Sequence, residues 1–138
     1  VADYVRQNNV DNGIMSALVR NDVPFVLAGS IRDDGPLPDV TANVYESQDK
    51  MRNHTKDATT VIALATQLHT IATGNMTPSY QLVDGKLRPV YFYVVDISEF
   101  AVNKLKDRGS LSATGVVTNI QDFIVNAERN LVQKKNSD

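Results

Sequence analysis

The sequence predicts an α/β fold built on a doubly wound, mostly parallel sheet. Three observations carry this. Four short runs at 23–28, 60–65, 90–95 and 115–118 are rich in β-branched or aromatic residues and almost continuously apolar, the pattern of strands buried on both faces. Helical patterns lie between them, so strand, helix and strand alternate as in right-handed βαβ units. Asp84-Gly85, set between Gln81-Leu82-Val83 and Lys86-Leu87-Arg88, is a tight-turn pair that marks 78–89 as a small hairpin excursion before the third strand.

The elements follow in order. Residues 1–12 are polar and helix-like with no strand before them, and the chain opens on Val1 rather than Met. The expectation is one domain over 1–138, or part of one, at the carboxy-terminal end of something longer. The run 23–28 is expected to be a buried strand that leads directly into the loop 29–39. Residues 41–51 carry only a weak helical stripe of Val44, Ser47, Gln48 and Met51. After the strand 60–65, Leu68, Ile71 and Ala72 suggest a helix that starts at Thr66 or Gln67 and stops near Gly74-Asn75.

Beyond the strand 90–95, Ile97, Phe100, Ala101 and Leu105 form an apolar stripe, closed by Lys106, Arg108 and Gly109. The last helix is the clearest. Ile120, Phe123, Ile124, Ala127 and Leu131 fall at helical spacing, Thr118 with Gln121 has the form of a capping box, and the polar tail 133–138 is expected to fray.

Composition narrows the function. The 138 residues are 42% hydrophobic, enough for one real core. The formal net charge is −2, and Lys and Arg are scattered rather than blocked, so no electrostatic footprint for nucleic acid exists. The absence of cysteine excludes disulfides, thiolate zinc sites and a cysteine nucleophile within this segment, and fits a cytoplasmic setting. No apolar run approaches the roughly 20 residues that span a bilayer, so no membrane partner is expected.

Polar residues collect where the strands end. In an open parallel sheet, ligands bind outside the carboxyl ends of the strands, where loops and helix amino termini converge. The first run delivers Ser30, Arg32, Asp33 and Asp34; the second Thr66, Gln67 and His69; the third Asp96 and Ser98; the fourth Thr118 and Asn119. Gly29 directly after an apolar run permits close approach of a ligand. Two glycines, two prolines, three acids and an arginine in 29–39 suit a backbone held in one shape. The plainer reading is a connection in which Asp39 caps the next helix and Arg32 pairs with Asp33 or Asp34. Asp33, Asp34 and Asp39 match no calcium-loop spacing, and no metal site is expected.

Asp96 stands where dinucleotide-binding folds place an acid on ribose, a role that favours NAD over NADP, but Asp96 and Glu99 also make an acceptable capping pair. His69 is placed for proton transfer or for a structural hydrogen bond; His54 lies in a polar stretch and reads as surface. Neither the Gly-x-Gly-x-x-Gly fingerprint nor a Walker loop is present. Phosphate would then rest on amides at 66–68 or at Gly29-Ser30, unless a glycine-rich turn lies upstream. Gly74-Asn75 reads as a helix stop and turn that could also line the site.

Three segments carry a family resemblance. PFVLAGSIRDDGPLPDV at 24–40, ALATQLHTIATGNMTP at 63–78 and VVDISEFAVNKLKDRGS at 94–110 together resemble the carboxy-terminal region of the bifunctional arginine dihydrolase/ornithine cyclodeaminase enzymes, also called the LOR/SDH bifunctional enzyme conserved region. The hairpin and Tyr91-Phe92-Tyr93 are similar to the cyanobacterial branch. The resemblance covers roughly residues 13–125.

It implies a Rossmann-like fold that binds NAD and converts ornithine to proline and ammonia by recycling a hydride, with an upstream arginine dihydrolase part and a homo-oligomeric enzyme. The alternatives are a non-catalytic NAD-binding and assembly module, or a saccharopine-type amino-acid dehydrogenase. On this reading Asp33 or Asp34 meets the substrate ammonium, Arg32 its carboxylate, and His69 carries the proton. Gly29, Ser30, Thr66, Gln67, Asn75 and Asp96 would contact the cofactor.

Overall fold

A computed structural model describes residues 1–29, 39–108 and 113–135. The chain divides into two compact units, Val1–Met51 and Arg52–Asp138.

In the first unit, α1 (Ala2–Gln7) and α2 (Ile14–Arg20) pack together, each burying one valine, Val5 and Val19. Ser16 is buried between polar demands of its own making: its hydroxyl donates to the Val10 carbonyl at 2.6 Å, closing the loop that joins the helices. Sequence reading did not foresee α2, which starts after Gly13 at a φ of 96° with no side-chain cap. The run 23–28 is not a strand. Its one ladder contact is a parallel bridge between Ala28 and Thr41, with the Gly29 amide donating to the Thr41 carbonyl at 3.0 Å and the Thr41 amide to the Leu27 carbonyl at 2.9 Å. An apolar β-branched run becomes a strand only beside a continuous partner, and among the described residues it has one bridge.

The next helix, α3 (Val44–Thr55), starts later and ends later than its weak stripe predicts. Asn43 sets the start, accepting from the amides of Tyr45 at 2.9 Å and Glu46 at 3.2 Å. Asp39 is therefore not the cap; it lies at φ 69° with its carboxylate against the Val1 nitrogen.

The second unit holds β1 (Thr60–Leu64), α4 (Leu68–Met76), β2 (Tyr80–Val83), β3 (Lys86–Pro89), β4 (Tyr91–Asp96), α5 (Glu99–Arg108), β5 (Ala113–Val117) and α6 (Ile120–Lys135). Strands β1, β4 and β5 form a parallel sheet in that order, with Val61 opposite Phe92, Ala63 opposite Val94, and Val94 opposite Gly115. Side chains opposite one another share a face. Phe92 and Val94, with Val61, Ala63, Ala113 and Ile71 of α4, therefore make the core on one face. On that same face Val102 of α5 lies so close to Gly115 that a Cβ there would come within 2.1 Å of its Cγ1. Ile62 and Leu64 project to the other face, where α6 lies with Phe123, Ile124 and Ala127.

Helices on both faces of a parallel sheet are the doubly wound arrangement read from the sequence. The hairpin is also as expected: β2 and β3 pair antiparallel around Asp84 and Gly85, whose φ values of 51° and 75° are those of a primed turn.

Three local expectations are corrected. The α5 stripe exposes Ile97 and Phe100 and buries Val102, because the helix starts only at Glu99 and turns a different side to the sheet. The cap of α6 is Asn119, which accepts from the Gln121 amide at 2.8 Å, one residue beyond Thr118. That helix also runs to Lys135, so residues 133–135 are helical rather than frayed.

Candidate functional site at the carboxyl ends of the parallel strands

Three helices of the second unit start where β1, β4 and β5 end, and their first turns differ. After β4, Asp96 accepts from the Ser98 amide at 2.8 Å, and the Ser98 hydroxyl accepts from the Ala101 amide at 3.3 Å. After β5, Asn119 caps α6. After β1, α4 follows Gln67 with no side-chain cap among the described residues. Its first-turn amides thus keep their hydrogen-bonding capacity and the positive end of the helix dipole.

The turn that feeds α4 has an unusual backbone. Ala65 adopts φ 50°, a left-handed conformation that costs a residue with a Cβ roughly 1–2 kcal/mol. Its amide continues the ladder, donating to the Val95 carbonyl at 3.0 Å, so the chain leaves β1 in register before it reverses. Buried Thr70 donates its hydroxyl to the Thr66 carbonyl and holds the turn from the helix side. Ala65 and Thr70 were not singled out in the sequence. A glycine at 65 would have been a signal; alanine is not.

Because Leu64 lies opposite Val95, this turn stands beside the end of the neighbouring strand, where Asp96 sits. One carboxylate oxygen serves the Ser98 amide, and a carboxylate has a second oxygen to offer hydroxyl donors. The cap of α5 is Ser98 rather than Asp96, which closes a turn just before the helix by accepting from the Ser98 amide and does not pair with Glu99. Leu68, Ile97 and Phe100, all exposed large apolar residues, stand at the same ends of the sheet. Their exposure suits a flat apolar ligand surface.

The predicted residues are distributed as follows. Thr66, Gln67, His69 and Asp96 meet at the ends of β1 and β4, with Thr66, Gln67 and Asp96 half-buried and His69 exposed on the first turn of α4. Asn75 does not join them. It is in the last turn of α4, about 10 Å along the helix axis from its start at 1.5 Å per residue; α4 runs on to Met76, and buried Gly74 is helical rather than a stop. Gly29 belongs to the first unit, where Thr41, Val40 and Ala42 crowd it so that a Cβ would meet the Thr41 carbonyl oxygen at 3.3 Å. Ser30, Arg32, Asp33 and Asp34 lie outside the described residues. His54 is exposed in the last turn of α3, as read. No helix among the described residues is long and apolar enough to cross a membrane.

A parallel sheet whose first strand ends in an uncapped helix start, beside an acid on the next strand, defines the dinucleotide-binding class of α/β domain. Comparison with known proteins makes this specific. Residues 1–127 match the model of the arginine dihydrolase ArgZ-like, C-terminal, Rossmann fold family, and the chain belongs to that family.

It is 51% identical over 124 residues to the ornithine cyclodeaminase of Methanothermobacter thermautotrophicus, covering 90% of this chain and 28% of that one. It is 41% identical over 124 residues to the bifunctional arginine dihydrolase/ornithine cyclodeaminase AgrE of Nostoc sp., covering 90% of this chain and 16% of that one. Among solved structures, the ternary complex of AgrE with ornithine and NAD+ superposes with a TM-score of 0.83 at 38% identity, over 99% of this chain and 19% of that one. A conserved LOR/SDH protein of Methanococcus maripaludis gives 0.84 at 41% identity, over 98% and 38%. The chain thus spans under a third of the length of these curated relatives.

Proposed function

We propose that this chain is the NAD-binding part of an ornithine cyclodeaminase that converts ornithine to proline and ammonia. The observation that carries the proposal is the α4 start without a side-chain cap, set one strand away from Asp96. Amides in that first turn suit a diphosphate, and the Asp96 carboxylate suits the ribose hydroxyls. An acid at that position repels a 2′-phosphate, which favours NAD over NADP. Leu68, Ile97 and Phe100 supply apolar surface for a planar ring. The residues present therefore fit the dinucleotide.

The chemistry that NAD supplies when bound is a reversible hydride transfer, taken from the substrate α-carbon and returned within the same turnover. The remaining tasks fall to the protein. His69, exposed on the first turn of α4, is the proposed carrier of a proton to the departing ammonia. Arg32 is the proposed partner of the substrate carboxylate and Asp33 or Asp34 of its ammonium, with Gly29 and Ser30 assigned to the cofactor. Support comes from the relatives: the Methanothermobacter protein is an ornithine cyclodeaminase and the Nostoc enzyme has been crystallised with ornithine and NAD+. An upstream arginine dihydrolase part, as in the Nostoc enzyme, is the corresponding partner.

Calorimetry with NAD+ and NADP+, followed by assay of proline and ammonia from ornithine, tests this. Micromolar NAD+ binding with product formation is expected. Binding without turnover reduces the chain to a cofactor and assembly module, net NADH accumulation marks an amino-acid dehydrogenase instead, and no dinucleotide binding overturns the proposal.

A further inference from the structure

The loop between α1 and α2 carries the one Asn-Gly pair in the chain, Asn12-Gly13. In such a pair the backbone nitrogen of the glycine is a nucleophile within reach of the asparagine side-chain carbonyl carbon, and no Cβ stands beside it to block the attack. A fold suppresses the reaction by bonding that nitrogen into a helix or strand, or by tying the side chain to a partner elsewhere. The outcome therefore depends on whether both groups are left free.

Here both are. Asn12 and Gly13 are exposed and lie in a bend, and α2 begins only at Ile14. Gly13 lends its carbonyl to the helix, accepting from the Ala17 amide at 3.1 Å. Its own amide has no hydrogen-bond partner among the described residues, and neither has the Asn12 side chain. A Cβ placed on Gly13 would meet nothing within 4 Å, so the nitrogen is approachable, and its φ of 96° is a value that residues with side chains rarely adopt. The loop is fixed on the near side instead, where the Val10 carbonyl accepts from the Ser16 hydroxyl at 2.6 Å and Asp11 accepts from the Arg20 guanidinium at 2.5 Å. These anchors stop one residue short of the reactive pair.

We propose that Asn12 is a spontaneous modification site, converted in the folded protein to aspartate and isoaspartate. The Gly13 nitrogen bonds to Asn12 Cγ, the Cγ–Nδ2 bond breaks, and ammonia leaves with the proton that the Gly13 nitrogen gives up. Water then opens the cyclic imide. Breaking the new Cγ–N bond restores the backbone as aspartate. Breaking the original C–N bond routes the main chain through the side chain as isoaspartate, a methylene longer just ahead of α2. Either product sets a second carboxylate beside Asp11, before a helix whose first turn holds no acid.

A time course on the intact chain at about 37 °C and about pH 8, read by trypsin digestion and tandem mass spectrometry of the fragment 7–20, tests it. A gain of about 1 Da at Asn12 is expected, at least tenfold faster than at any other asparagine, with the isoaspartate fraction accepting a methyl group from S-adenosylmethionine through an isoaspartyl methyltransferase. The rate in the folded chain should lie within about threefold of that in a synthetic peptide 7–20, because the fold gives neither reacting group a partner. Asn12→Gln, which needs a larger and slower-forming ring, should abolish the change with circular dichroism unaltered. A folded chain at least tenfold slower than the peptide, faster reaction at another asparagine, or an undiminished gain in the fragment from N12Q overturns the proposal. The readout uses neither NAD nor ornithine, so it stands apart from the assignment of the dinucleotide site.

Discussion

The Ala65 amide donates to the Val95 carbonyl at 3.0 Å, which locks the turn after β1 to the strand that ends in Asp96. The two halves of the candidate site are therefore not on independent loops. They share one rung of the sheet, and a change in the turn is felt at the acid.

The left-handed backbone of Ala65 makes a stability prediction. Ala65→Gly removes a Cβ penalty of roughly 1–2 kcal/mol and adds chain entropy in the unfolded state, for a net gain of about 0–1 kcal/mol. Ala65→Val should destabilise by about 2 kcal/mol, since a branched Cβ fits that conformation worse. Urea unfolding of the two variants measures both, and equal stabilities would show that the turn is not left-handed in solution.

Asp96 separates recognition from structure. Asp96→Asn keeps an acceptor for the Ser98 amide, so the melting temperature should move little, while the loss of charge should weaken NAD+ binding and narrow the gap between NAD+ and NADP+. Asp96→Ala should add the loss of that turn hydrogen bond, about 1 kcal/mol. Calorimetry with both dinucleotides, paired with thermal melts, distinguishes the effects.

Gly115 is a packing requirement. The Cβ of Gly115→Ala would sit 2.1 Å from Val102 Cγ1, and overpacking of this kind costs about 1–3 kcal/mol. Val102→Ala alone leaves a small cavity, but in the double variant the two changes should offset in part. A double-mutant cycle by denaturant unfolding should give a coupling of at least 0.5 kcal/mol; strict additivity would mean that α5 does not press on β5.

Ser47 is predicted to be dispensable. It is buried in α3 and its hydroxyl has no hydrogen-bond partner among the described residues, so it bears a desolvation cost with no return. Ser47→Ala should raise stability by up to about 1 kcal/mol. A loss of that size would reveal a partner for the hydroxyl.

What could be read from the sequence follows from how local each signal is. The strand 90–95 emerges as β4 at Tyr91–Asp96 and the run 60–65 as β1 at Thr60–Leu64, because continuous apolar β-branched residues allow little else in a covered sheet. Asp84-Gly85 identified its hairpin from the demand for positive φ alone. Caps were displaced by a residue or more, from Thr118 to Asn119 and from Asp39 to Asn43, since side chains that can cap are abundant and backbone direction chooses among them. The α5 stripe failed for a related reason. Ile97 and Phe100 sit at helical spacing, but one precedes the helix and the other faces away from the sheet. Part of the site was legible as a gathering of polar residues at strand ends; the Ala65 turn was not, because nothing about alanine announces a left-handed backbone.

The base of the hairpin has a consequence for how such chains diversify. Ser79 and Val90 are already bonded to each other across its neck, so the ten residues between them form a closed excursion inside the crossover from α4 to β4. Lengthening, trimming or deleting that excursion leaves the ends where they were and moves no rung of the parallel sheet. The candidate site lies at the opposite ends of the same strands. Lineages can therefore vary the hairpin while the carboxyl ends of the parallel strands are inherited intact.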